Sequence, residues 1–123
     1  MIEEQYVDFE TAKLLKEKGF KEITQGYINA DQEVYMLPFE QGVYELTSKQ
    51  YPYPTQQMAM RWLREEHNLF IKIRYFHSQQ SKEWDAVIFS TLDGNNMGQS
   101  PDGYYSYEDA CNAAIKYCLE NLI

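Results

Sequence analysis

The sequence predicts an α+β fold: an antiparallel sheet of four to five strands with three helices, in the order α-β-β-(β)-α-β-β-α. Three observations carry this. Residues Pro54 to Phe76, PTQQMAMRWLREEHNLFIKIRYF, read as an amphipathic helix running directly into a strand of alternating apolar and polar residues. Two further stretches, near the start and the end of the chain, have helical periodicity with capping signals at their boundaries. Between these helices lie short runs rich in β-formers and broken by turn residues, which suit antiparallel strands with the helices segregated on one face.

The first helix starts after Asp8, a good N-cap, and stops at Gly19, a good C′ residue, with Phe20 placed to touch Leu15. Ala12, Leu14 and Leu15 form its apolar stripe, while Lys13, Lys16 and Lys18 are expected to face water. From Ile23 the pattern alternates: ITQGYIN, a turn at Asn29 to Gln32, and EVYML predict a hairpin, with Pro38 ending its second strand. A third strand over 43–48, VYELTS, is weaker and reads equally as loop. YPYP, Tyr51 to Pro54, is expected to be an extended connector, because residues before proline avoid the α region.

The second helix begins with Pro54 at the first helical position or with Thr55 as N-cap, and ends near His67 to Asn68. Ala59, Trp62, Leu63 and Glu66 line one face. In the strand that follows, Leu69, Ile71, Ile73 and Tyr75 share the core face, and Phe70, Lys72, Arg74 and Phe76 the other. Trp84 to Leu92 is apolar on both faces near its middle and is expected in the sheet interior. Asp93 to Gly103 reads as one long polar loop. Ser106, with Asp109 three residues on, opens the last helix, whose buried stripe is Cys111, Ala114, Ile115, Cys118, Leu119 and Leu122.

All 123 residues fit one domain. The longest apolar runs are three or four residues, too short for a membrane-spanning helix, and the opening Met-Ile-Glu-Glu lacks the regions of a secretory signal. Cys111 and Cys118 fall two helical turns apart, about 10 Å, too far for a mutual disulfide. Free buried thiols and the missing signal give a cytoplasmic expectation with no membrane partner.

The formal charge of -8 opposes nucleic acid as a partner. Its distribution is uneven. Residues 1–53 and 81–123 carry -5 each, whereas 54–80 carry +2. That basic island holds Arg61, Arg64, Lys72 and Arg74 together with Trp62 and Phe70.

Chemistry is hard to find. Asp93, Asn95 and Gly98 fit positions 1, 3 and 6 of a calcium loop, but Met97 and Tyr104 occupy positions that need oxygen ligands. His67 and His77 stand without paired ligands, and neither cysteine lies at a helix N-terminus. Glu65, Glu66 and His67 are adjacent and point in different directions from a helix. No catalytic residue, metal or cofactor is therefore expected.

Three segments, YVDFETAKLLKEKGF, PTQQMAMRWLREEHNLFI and YSYEDACNAAIKYCLENLI, resemble a family of small uncharacterised proteins from phages, prophages and mobile elements of gut Bacteroides and relatives. The resemblance covers most of the chain, least well over 21–53, and implies an accessory role without an assigned activity.

The function expected from these readings is a non-enzymatic domain that binds a protein partner or itself, through a surface drawn from Arg61, Trp62, Arg64, Lys72, Arg74, Tyr104 and Tyr105. Two alternatives remain. One is an acidic nucleic-acid mimic inhibiting a host DNA-binding protein, and the other is weak nucleic-acid contact through the island 61–76.

Overall fold

The computed structural model describes residues 2–38, 42, 45–77, 79–100 and 103–123. Within them the chain is α+β with three helices and two three-stranded antiparallel sheets rather than one larger sheet.

Helix α1, Phe9–Glu17, is fixed at both ends as its sequence requires. The Asp8 carboxylate accepts from the Thr11 amide at 2.8 Å. At the other end Gly19 takes φ +93°, the Phe20 amide donates to the Leu15 carbonyl and the Gly19 amide to that of Lys16, a Schellman ending. Ala12 and Leu15 are fully buried. Lys16 and Lys18 do not simply face water. Lys16 Nζ donates to the Thr47 and Gln50 carbonyls, and Lys18 Nζ to that of Ile123, so both cations hold distant chain segments against the helix.

The first sheet has the order β2-β1-β3, with β1 Gly26–Asn29, β2 Val34–Met36 and β3 Gln50–Pro52. The expected hairpin is present. Its third strand comes from YPYP instead of from 43–48: residues 45–48 are not strand, and 43 and 44 lie outside the described residues. Proline is tolerated in β3 because this strand lies at the sheet's edge. β3 also packs on α1, where Tyr51 meets Phe9 edge-on at 5.6 Å.

Helix α2, Gln56–His67, has Thr55 as N-cap, its hydroxyl accepting from the Met58 amide, and Asn68 in the left-handed conformation as C-cap. That turn delivers the chain straight into β4, Leu69–Tyr75. β4 pairs with β5, Trp84–Ser90, which lies centrally in the order β4-β5-β6. The two apolar faces of β5 suit that interior place.

β6, Asn96–Gln99, falls in the stretch expected to be loop. Asp93 accepts from both the amide and the side chain of Asn95, and Gly94 at φ +76° turns the chain back along β5. Side-chain polarity hid this strand: β6 is Asn-Met-Gly-Gln, whose pairing rests on backbone groups and a register shift at Ile88/Phe89. Gly98 leaves room for the Tyr117 ring, whose Cε1 would lie 2.6 Å from an added Cβ.

Helix α3, Tyr107–Tyr117, is capped by Ser106 and continues into a π-helical turn over Cys118–Leu122. It packs against β4, β5, α1 and α2. The core gathers Leu15, Phe20, Trp62, Leu63, Ile71, Ile88, Ile115 and Leu119, and Ile28 brings the first sheet to the same cluster. Glu66, expected on the buried face of α2, is exposed, whereas Gln56 is buried and donates to the Glu108 carbonyl.

Asp8 joins α1 to α3 besides capping. Its second carboxylate oxygen accepts from Asn112 Nδ2 at 2.9 Å and lies 3.9 Å from Lys116 Nζ. Burial raises its pKa, but the hydrogen bonds from Thr11 and Asn112 and the Lys116 charge outweigh this and leave it below the ordinary 3.8. Its stabilisation is therefore complete above the unfolded value and is lost as pH falls through the lower folded one. Asp8→Ala is expected to cost about 1 kcal/mol or somewhat more at pH 7, the usual worth of an N-cap. Urea unfolding at neutral and acid pH checks this, with the gap between variant and parent closing below the folded pKa.

Candidate interaction surface

The alternation in β4 places Leu69, Ile71 and Ile73 on the helix-covered face and Phe70, Lys72 and Arg74 on the opposite face. The register with β5 sets Phe70 opposite Phe89, Lys72 opposite Val87 and Arg74 opposite Asp85. No helix among the described elements covers this outer face. Val87 is nevertheless 3% exposed while standing outside the main core cluster, so the outer face carries an apolar centre of its own. Phe70 and Phe76 are each 41% exposed beside it.

Arg74 does not act as an unengaged cation. Its Nε and Nη2 donate to the two Asp85 carboxylate oxygens at 2.9 and 2.7 Å, a bidentate pair that raises the guanidinium pKa further. Lys72 is exposed and has no ion-pair partner among the described residues. On β4 and β5 the outer face thus carries Phe70, Phe89 and Val87 with Lys72 as its uncompensated positive charge among the described residues, and β6 adds polar Asn96 and Gln99 at its edge.

An aromatic corner continues this surface at the loop end of the β4–β5 hairpin. The Phe76 amide donates to the Glu83 carbonyl. Gly103 packs against the Phe76 ring and the Lys82 carbonyl, where an added Cβ would clash. Tyr105, 66% exposed, carries Lys82 Nζ 5.5 Å from its ring centre. Tyr104 is half-buried and exchanges backbone hydrogen bonds with Trp84, extending the β5 pairing. Tyr75, 57% exposed, lies on the opposite, helix-covered face, where it stacks obliquely on Trp84, and the Glu83 charge raises its hydroxyl pKa.

The seven residues expected to share one surface are therefore divided. Lys72 and Arg74 lie on the outer sheet face, and Tyr105 lies at its aromatic corner. Arg61 and Arg64 belong to the exposed side of α2, in the helical layer on the other face of the sheet, and both approach Glu65, at 4.0 and 3.8 Å. Trp62 is not a surface residue. It is 7% exposed, its ring edge-on to Phe20 at 5.3 Å and to His67 at 4.6 Å, because it falls on the buried stripe of α2 with Ala59 and Leu63. Its nearness to Arg61 and Arg64 in sequence groups it with the basic island, but helical geometry turns neighbouring residues about 100° apart, and the face it shares with Ala59 and Leu63 is the buried one.

A concavity runs beside Trp62, lined by Glu22, Met58, Arg61, Glu65 and Glu66. Carboxylates also border a groove at the N-terminal ends of α2 and α3, through Glu3, Glu4 and Glu108. A further groove mixes Glu22 and Glu45 with Lys16 and Lys21. Acidic and basic groups interleave in two of these three places.

Reactive groups are scarce among the described residues. Cys111 and Cys118 are buried free thiols, and burial raises them to about 11 and about 12, so both stay protonated at neutral pH. No three His, Cys, Asp or Glu side chains among the described residues converge as a metal-ligand set. No helix among them is long and apolar enough to cross a membrane. The chain matches no family model, no curated protein and no solved structure.

Proposed function

We propose that this domain is a non-enzymatic, cytoplasmic protein-binding module, and that it contacts its partner through the outer face of β4–β6 and the adjoining aromatic corner. One observation carries the reading: Phe70 stands 41% exposed on the side of β4 opposite the core, and Phe76, just past the strand, is 41% exposed beside Gly103. Large aromatics with a single lysine beside them suit a protein interface, where burial of rings supplies affinity and a rim charge supplies orientation. The resemblance to accessory proteins of phages and mobile elements fits a partner of host or phage origin.

Direct nucleic-acid binding draws less support. Arg74 is held by Asp85, and Arg61 and Arg64 share Glu65 on another side of the domain, which leaves little continuous positive surface. The mimic reading needs a continuous acidic stripe, and the interleaved lysines and Arg61 do not favour one.

Capture from host lysate tests the proposal. The parent protein is expected to retain a specific protein at moderate salt, and the double variant Phe70→Ser, Phe76→Ser to lose it while keeping its circular dichroism. Equal capture by the folded double variant, or no capture by the parent, overturns it.

A further inference from the structure

The two sheets have four edge strands, and three of them carry features that discourage further pairing. β4 presents Lys72 and Arg74. β3 contains Pro52, and Lys16 occupies carbonyls of Thr47 and Gln50 beside it. β6 is polar, contains Gly98 and adjoins a register shift. β2 differs: Val34, Tyr35 and Met36 are 42%, 41% and 45% exposed, without a charge, a proline or a bulge among them.

The ladder shows which backbone groups this edge offers. The Asn29 amide donates to the Glu33 carbonyl and the Leu37 amide to that of Gln25, so the hydrogen-bonded pairs with β1 fall at 33, 35 and 37. The N–H and C=O of Val34 and Met36 consequently point away from β1, and no described strand lies there. Their side chains share the face of Gly26 and Ile28, the buried side of the sheet, at its uncovered margin. Tyr35 lies on the other face, stacked on Tyr27 at 5.3 Å with the rings 17° apart.

We propose that β2 pairs antiparallel with β2 of a second copy, about a two-fold axis at Tyr35, joining two three-stranded sheets into one of six. The register closes without conflict. Val34 and Met36 of one copy exchange backbone bonds with Met36 and Val34 of the other, giving four hydrogen bonds and two apolar contacts. Tyr35 meets its counterpart in a non-hydrogen-bonded pair, where opposed side chains come closest, so the Tyr27–Tyr35 stack continues across the axis. Glu33, bound by the Tyr35 hydroxyl at 2.7 Å, falls opposite Leu37 of the second copy, which keeps like charges apart. This strand is only about 10 Å long, so the contact lies below the roughly 1,200 Å² of standard stable interfaces and the dimer is weak. Because each copy carries -8, screening strengthens the pairing.

Sedimentation and amide NMR spectra across a concentration series up to about 1 mM test this, with an expected Kd on the order of 100 µM. Self-association is expected to rise with added salt, with the Val34 and Met36 amides shifting most. Val34→Lys, at an exposed position whose N–H makes no bond to β1, is expected to weaken pairing about tenfold while its remaining amide spectrum stays native. A strict monomer at the highest concentration overturns the proposal. So do shifts confined to other elements, unchanged pairing in folded Val34→Lys, or occupation of this edge only by a strand from a different protein.

Discussion

Trp62→Ala is expected to destabilise the domain by about 3–5 kcal/mol, the range for truncating a buried large aromatic. The indole is 7% exposed and wedged between Phe20, which follows the Schellman ending of α1, and His67, the last residue of α2. Removing it therefore opens a cavity where two helix ends meet. Denaturant unfolding reads the loss directly. Trp62→Phe retains much of the ring contact and is expected to cost less. Any loss of partner capture on truncating Trp62 would follow from unfolding, since so little of the ring is accessible.

Ile115→Ala is expected to cost about 2–5 kcal/mol. Ile115 is fully buried on the helix that touches both other helices and two strands of the second sheet, so no single neighbour can move in to refill the space. Lys72→Ala, on the exposed outer face, serves as the comparison and is expected to stay within about 0.5 kcal/mol of the parent. The same denaturant measurement separates the two.

Helices were the most legible part of the sequence because their boundaries are set by local chemistry. Asp8, Thr55 and Ser106 cap as their side chains dictate, and Gly19 and Asn68 end helices in the left-handed region. The β4–β5 hairpin was legible through its alternation and the apolar middle of β5. β3 and β6 were not. Each is held mainly by backbone pairing in segments whose composition signals something else, proline and tyrosine in one and asparagine and glycine in the other. The division into two sheets was hidden for a related reason: strand partners are distant in sequence, and β3 joins β1 across more than twenty residues.

The candidate surface was half legible. Periodicity correctly separated Lys72 and Arg74 from the core side of β4, but sequence proximity merged them with Arg61, Trp62 and Arg64, which the fold carries elsewhere. Asp85, eleven positions from Arg74, neutralises it through a cross-strand register that only the hairpin establishes. Phe76 and Tyr105 approach one corner because the Trp84–Tyr104 bridge folds the segment before α3 back along β5.

Site-specific photo-crosslinking in host cells tests the proposed surface most directly. A crosslinking side chain at Phe76 is expected to trap a discrete protein, whereas the same group at Glu65, on the exposed side of α2, is expected to trap none. Trapping from Glu65 alone, or from neither position, would contradict the assignment of the outer sheet face as the binding surface.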